Sequence, residues 1–168
     1  MSVRNVIIAP YACDIVEITA LSGHIAAVTA VLDQDALAIA PARWWRRGPS
    51  GLAEAELRRL SGLLGSKAAL IDQSSGFAGF RLQGLSVRHA LARVCRLDLD
   101  EAAFPLGHAA RSIIAQVPAL VVRPQITDTF DIHVPITFGP AFKTHLERAS
   151  DEFWRGVEPA HRPDMRTD

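Results

Sequence analysis

The segment from His108 to Phe138 leaves the least freedom to any fold this chain can adopt. "HAARSIIAQ", "PALVVRPQ" and "FDIHVPITF" read as three strands in immediate succession, joined by short turns at Val117-Pro118 and Thr127-Asp128. Strands linked this tightly run antiparallel, because a parallel return needs a crossover of about a dozen residues or more.

Upstream, "VRNVIIAP" and "CDIVEITAL" are Val- and Ile-rich strands with Pro10 between them. In "SGHIAAVTAVLDQ", Ile25, Val28 and Leu32 give a short helical stripe, with Ser22 as its expected cap. "ALAIAPARWW" is a strand with a break at Pro41, and "RRGPSG" a turn. "LAEAELRRLSGLLG" is an amphipathic helix. Ala53, Leu57, Leu60 and Leu64 line one side, Glu54, Arg58 and Arg59 face water, Ser50 is the expected cap and Gly65 the stop. "AALIDQ" and "FAGFRLQG" are strands about the turn "SSG", and the second alternates Phe80 and Leu82 with Arg81 and Gln83 as a sheet with one wet face does. Ser86 is the expected cap of the helix "VRHALARVC", and "RLDLDEAAFPLG" is a loop. Phe142, Leu146, Ala149 and Phe153 mark a last helix opened by Gly139-Pro140. The polar remainder, "RGVEPAHRPDMRTD", reads as a loose tail over 155–168, leaving one domain over 1–154. The expected class is α+β, a largely antiparallel sheet with helices packed on one face.

Function classes can be excluded on charge. Lys plus Arg and Asp plus Glu number 18 each, so the formal net charge is zero. Nothing here supplies the basic footprint that nucleic acid requires, and little self-repulsion opposes association with other chains. Cys13 and Cys95 stand far apart, without zinc or cluster spacing, and read as two buried thiols in a reducing compartment. "MSVRNVIIAPYACDIVEITA" has one basic residue before its apolar run, and Asp14 and Glu17 interrupt that run. It is a poor signal peptide and too short to span a membrane, so the expected location is the cytoplasm.

Motifs for chemistry are missing. There is no GxGxxG, GxxxxGK or GxSxG string. Asp72, Ser74 and Ser75 are read as residues that bond the backbone of a hairpin turn, in preference to a catalytic group. No two of the six histidines stand three or four apart, so no helical metal pair is written. His89, among Arg88, Arg93 and Arg96, belongs on a surface or interface. His133 lies on the opposite strand face from Ile132 and Val134, exposed or covered by a partner. In "ARWWRRG", Trp44 and Trp45 point to opposite faces of a strand, so one fills the core and the other is left for something else. Aromatic and Arg residues are typical anchors of protein interfaces. The candidate interface is therefore Trp44, Trp45, Arg46 and Arg47, with Phe104 and Pro105 of the loop.

From residue 70 onward, "LIDQSSGFAGFRLQGLSVRHALARVCRLDLDEAAFPLGHAARSIIAQVPALVV" resembles the gamma subunit of heterotetrameric sarcosine oxidase and its relatives. Cys95, Leu97, Asp98, Leu99, Phe104, Pro105, Gly107, Ala110, Arg111, Gln116 and Pro118 carry the resemblance, and "PARWWRRG" is similar to the family's tryptophan segment before the middle helix. The resemblance covers about residues 36 to 154. It implies a fold like the folate-binding domain of the glycine-cleavage T-protein. It further implies a non-catalytic chain, serving assembly in a complex that oxidatively demethylates an N-methylated amino acid. Large alpha and beta subunits would carry FAD, FMN, NAD and tetrahydrofolate, and a small delta subunit zinc, with no cofactor in this chain. The alternative is a stand-alone folate-binding or aminomethyltransferase-like protein, in which Asp72 or Asp131 would grip the pterin.

Overall fold

The computed structural model describes the backbone of residues 6–155 and side chains as far as residue 149. Nine strands and four helices follow in order: β1 (Ile7–Pro10), β2 (Asp14–Ala20), α1 (Ile25–Val31), β3 (Ala36–Ala40), β4 (Arg43–Gly48), α2 (Ala53–Leu64), β5 (Ala68–Asp72), β6 (Phe77–Gln83), α3 (Val87–Ala92), β7 (Ala109–Ile114), β8 (Val117–Val122), β9 (Thr129–Pro135) and α4 (Gly139–Arg155). All strand pairs are antiparallel. The α+β class holds, but the strands divide into two sheets, one in the order β1-β6-β9-β8-β7 and the other β3-β4-β2-β5.

Period-two alternation on the strands decides what each face meets. In β9, Phe130, Ile132 and Val134 join Phe80, Leu82, Val87, Leu91, Phe142 and Leu146 in a core beneath α3 and α4. In β2, Val16, Ile18 and Ala20 join Val28, Ala53, Leu60 and Leu64 beneath α1 and α2. The remaining faces meet each other through Ile15, Leu37, Ile39, Trp45, Leu120 and Val122. Four layers result: helices, sheet, sheet, helices. Each sheet carries helices on one face only, and its other face is covered by the second sheet.

Several local expectations are corrected. "SSG" does not close a hairpin. It carries the chain from β5 in one sheet to β6 in the other. The β7–β8 turn lies at Ala115 and Gln116, both at positive φ (47° and 67°), as a tight two-residue hairpin requires. Val117 and Pro118 are strand residues, and the β8–β9 ladder, which begins at Leu120, does not call on the amide that Pro118 lacks. The break at Pro41 is a reversal between β3 and β4, and "RR" belongs to β4. The serines expected as caps make no side-chain cap bond. Gly65 does end α2, at φ 52°. Phe153 and the segment from 156 onward, where most of the expected tail falls, lie outside the described side chains and residues.

The start of α2 is held from a distant strand. Asp14 Oδ2 accepts from the N–H of Gly51 and of Ala53, each at 2.8 Å. Asp14→Ala is therefore expected to lower stability by about 1 kcal/mol, the usual value of a lost cap. Ser50→Ala should change it by a few tenths at most (roughly 0.3 kcal/mol). Urea unfolding of the two variants separates these outcomes, and a larger loss for Ser50→Ala would overturn the assignment.

Candidate functional site

The gap between the sheets holds most of the buried chemistry. Arg47 comes from β4, Arg81 from β6, and Asp131 and His133 from β9. Arg81, Asp131 and His133 alternate with apolar neighbours on their strands, and Arg47 shares its face of β4 with Trp45, so all four side chains turn away from the helices and toward the opposing sheet. Asp131 is fully buried. Its carboxylate accepts from Arg81 Nε at 2.7 Å and Nη2 at 2.9 Å, a two-pronged pair across the β6–β9 ladder. It also accepts from Arg47 Nη1 at 3.1 Å. The same Arg47 nitrogen lies 2.8 Å from His133 Nε2. Arg47 Nε is buried with no partner among the described residues. The Arg81 guanidinium covers the Tyr11 ring, 3.9 Å from its centroid. Two cations and one anion thus share the gap, with Asp131 fully buried and the side chains of Arg47 and Arg81 12 % and 24 % exposed, leaving one positive charge in excess.

His133 is 1 % exposed, packed between the rings of Tyr11 and Trp45. The second sheet of the same chain covers it. Burial pushes its pKa down to about 3, the positive charges of Arg47 and Arg81 act in the same direction, and Asp131 opposes them. The folded imidazole is neutral, whereas in the unfolded chain it takes up a proton near pH ~6.5. The unfolded state therefore binds more protons between those values. This contribution to stability is complete above about pH 6.5 and falls as the pH drops toward about 3. Urea midpoints should accordingly decline from pH ~6.5 to ~5, above the carboxylate range, and decline less steeply in His133→Gln. Equal slopes in the two proteins would show that His133 charges in the folded state.

Beside this cluster a groove of about 650 Å³ opens to solvent. Pro10, Ile15, Phe77, Ala78 and Ile136 make its apolar walls, and Tyr11, Cys13, Asp14, Ser74, His133 and Lys143 are among its polar points. Gly79 lies on the wall because a side chain there would strike the Tyr11 carbonyl, 2.2 Å from where its Cβ would stand. Burial pushes the Cys13 thiol up, away from the reactive thiolate. Both cysteines are free; Cys95 is buried and Cys13 half-buried.

The residues singled out in sequence fall in different places. Ser74 Oγ donates to Asp72 Oδ1 at 2.5 Å and accepts from the Ile15 N–H at 3.0 Å. These bonds tie the crossover turn to β2, and the Ser74 hydroxyl and N–H hold the Asp72 carboxyl below the usual carboxylate range. Asp131 is enclosed by its two arginines, whereas Asp72 is exposed and bonds Ser74 through Oδ1. Among the described residues, no three His, Cys, Asp or Glu side chains are grouped to hold a metal ion.

Neither tryptophan stands out from the sheet. Trp45 is 1 % exposed. It donates from Nε1 to Glu17 Oε2 at 2.9 Å and meets Phe77 edge-on, with centroids 4.6 Å apart. Trp44 is half-buried against the α1–α2 side. Arg46 pairs with Asp33, with Glu56 at 3.1 Å and with Asp35 at 3.6 Å. Phe104 is buried in the core under α3 and α4, and its carbonyl accepts from Arg123 Nη1 at 2.7 Å. Among the six candidate interface residues, Trp44, Arg46 and Pro105 keep appreciable surface, Arg47 keeps little, and Trp45 and Phe104 are enclosed by the chain itself. The inter-sheet cluster was legible only as alternation. "FDIHVPI" and "FRLQ" place Asp131, His133 and Arg81 off the apolar face, and a face that carries charge reads as wet.

The family model "Sarcosine oxidase, gamma subunit family" matches residues 11–152. No curated protein matches the sequence significantly. Among solved structures, the chain is similar to one in "Heterotetrameric Sarcosine Oxidase from Corynebacterium sp. U-96 in complex with pyrrole 2-carboxylate". That match has a TM-score of 0.79 at 21 % identity and covers 91 % of this chain and 87 % of that one. It is also similar to the glycine cleavage system aminomethyltransferase T from Bartonella henselae, with a TM-score of 0.63 at 15 % identity, covering 84 % of this chain and 45 % of that one. At these identities the likeness is one of fold, and it extends to the T-protein-like folate-binding domain.

Proposed function

Because the chain belongs to the sarcosine oxidase gamma subunit family, we propose that it is the non-catalytic gamma subunit of a heterotetrameric sarcosine-oxidase-type flavoenzyme. The complex oxidatively demethylates an N-methylated amino acid, sarcosine or a relative. The family match over residues 11–152 carries this reading. Supporting it, Asp131 and Ser74 are committed to bonds within the fold, which suits a chain whose contribution is shape and surface. In this reading the larger alpha and beta subunits hold FAD, FMN, NAD and tetrahydrofolate, the small delta subunit holds zinc, and the complex works in the cytoplasm. No helix among the described residues is long and apolar enough to cross a membrane.

Co-purification from the native cell tests the proposal. Two larger flavin-containing chains and a small zinc-binding chain should accompany this one. Flavin bound to the isolated chain, or turnover by it alone, would overturn the reading. Trp44, Arg46 and Pro105 are proposed as the accessible part of the subunit interface. Trp44→Ala should weaken assembly by about 2 kcal/mol, roughly 30-fold, as truncation of an aromatic anchor does. Unchanged assembly would remove Trp44 from the interface and leave the subunit reading to the co-purification result.

A further inference from the structure

A second cavity, of about 220 Å³, shares Phe77 and His133 with the groove and reaches the surface at Arg111 and Pro118, both exposed. Pro118 and Pro135 line it, two residues past the paired Leu120 and His133, where the β8–β9 ladder has ended. On the same face Phe77 is paired with Pro135, and Ile113 with Pro118. Phe77, Pro135, Pro118 and Ile113 therefore make one apolar row across four strands. At its Phe77 end the row meets Trp45 of the other sheet. At its other end Ile113 is 55 % exposed. Single apolar residues on a surface are ordinary, but a continuous row beside a cavity marks a contact site.

Charge narrows what this surface can receive. Arg111 is paired in register with Leu120, so its side chain lies on the same face, at the mouth of the cavity. Among the described residues it makes no ion pair or hydrogen bond. It is the one charged group on the lining, where His133 is neutral. The neighbouring strands β3 and β8, and β7 itself, carry no acidic residue. Deeper between the sheets Glu17 is answered by Arg43, and Asp131 by Arg81 and Arg47, so no surplus negative charge offsets Arg111. The surface thus offers one apolar socket beside one uncompensated cation. The socket falls short of the roughly 300–1,000 Å³ usual for small-molecule sites and has room for a single large side chain. Anchor residues of protein interfaces fill sockets of this kind, with polar pairs at the rim.

We propose that this surface receives a segment of a partner subunit, which places one apolar side chain in the cavity between Trp45 and Pro118 and an acidic residue against Arg111. The proposal rests on the subunit reading and adds a contact on the face of β4 opposite to Trp44. The test uses the complex from the native cell and the full chain purified alone. Phenylglyoxal, which modifies accessible guanidinium groups, should label Arg111 in the isolated chain and spare it in the complex, as read by mass spectrometry. Arg111→Glu and Ile113→Asn should each weaken reassociation with the remaining subunits by about 10-fold or more. Added salt should weaken the parent chain's reassociation more than that of Arg111→Gln. Both positions are exposed, so the urea midpoints of the isolated variants should match the parent. If a variant does not fold, the labelling of the unmodified chain decides alone. Equal labelling in the two forms, unaltered reassociation of either variant or equal salt dependence would overturn this surface and leave the subunit reading standing. A chain that purifies without partners would overturn both.

Discussion

Replacing Asp131 by Asn should cost the folded chain on the order of 3–5 kcal/mol, the loss typical of breaking a buried ion pair on one side. The carboxylate is fully buried and answers two guanidinium groups, Arg81 through two bonds and Arg47 through one. An amide of the same shape keeps an oxygen for one of them and offers no charge to either. The two cations then remain in the gap between the sheets, where water reaches poorly and their mutual repulsion is little screened. His133 cannot compensate, since its one accepting nitrogen already faces Arg47. The urea midpoint should fall with an unchanged slope. Asp72→Asn, at the exposed end of β5, should lose far less, within about 1 kcal/mol. Removing all the charge at once distinguishes the cause. Asp131→Leu with Arg81→Leu and Arg47→Met should regain most of the stability, because the penalty lies in the uncompensated cations. A loss under about 1 kcal/mol for Asp131→Asn would mean that solvent enters the gap freely.

Trp45→Ala should be of similar size, about 3–5 kcal/mol, as for large aromatics removed from a core. The ring fills the space between the two sheets, against Phe77 and His133. Its N–H also satisfies Glu17, a carboxylate 7 % exposed that would keep only Arg43, at 3.5 Å. Trp45→Phe retains most of the packing and loses the bond, so roughly 1–3 kcal/mol is expected. Trp44→Ala should lose less than half of the Trp45→Ala value, because its ring is only half-buried. Denaturant unfolding of the three variants gives the order directly. Equal losses for the two alanine variants would contradict the asymmetry between the faces of β4.

The two tryptophans show where sequence reasoning stops. Alternation correctly sends Trp44 and Trp45 to opposite faces of one strand. The inference that one of them must then be exposed or buried by something other than the core assumes a sheet with a single covered face. Here β4 lies in a sheet covered on both sides, by α1 and α2 on one and by the β6–β9 sheet on the other. The same assumption placed Arg81 on a wet face and left His133 exposed or covered by a partner. Periodicity records which residues share a face; it carries no information about what lies opposite.

Most of the elements were settled locally. The stripe Ala53, Leu57, Leu60 and Leu64 made α2, Gly65 ended it, and the apolar alternation of "FDIHVPI" made β9. These depend on side chains within a few residues of one another, which is the range over which propensity and pattern act. The antiparallel sense of β7, β8 and β9 followed from the shortness of their connections. Only the tertiary structure decided the rest. It assigned β5 and β6 to different sheets, supplied the cap of α2 from Asp14, and placed Arg47 beside Asp131, 84 residues away in sequence. Those outcomes depend on how two sheets and two helical layers pack to bury their apolar faces together. That free energy belongs to the assembled layers and to no single segment, so no window of the sequence contains it.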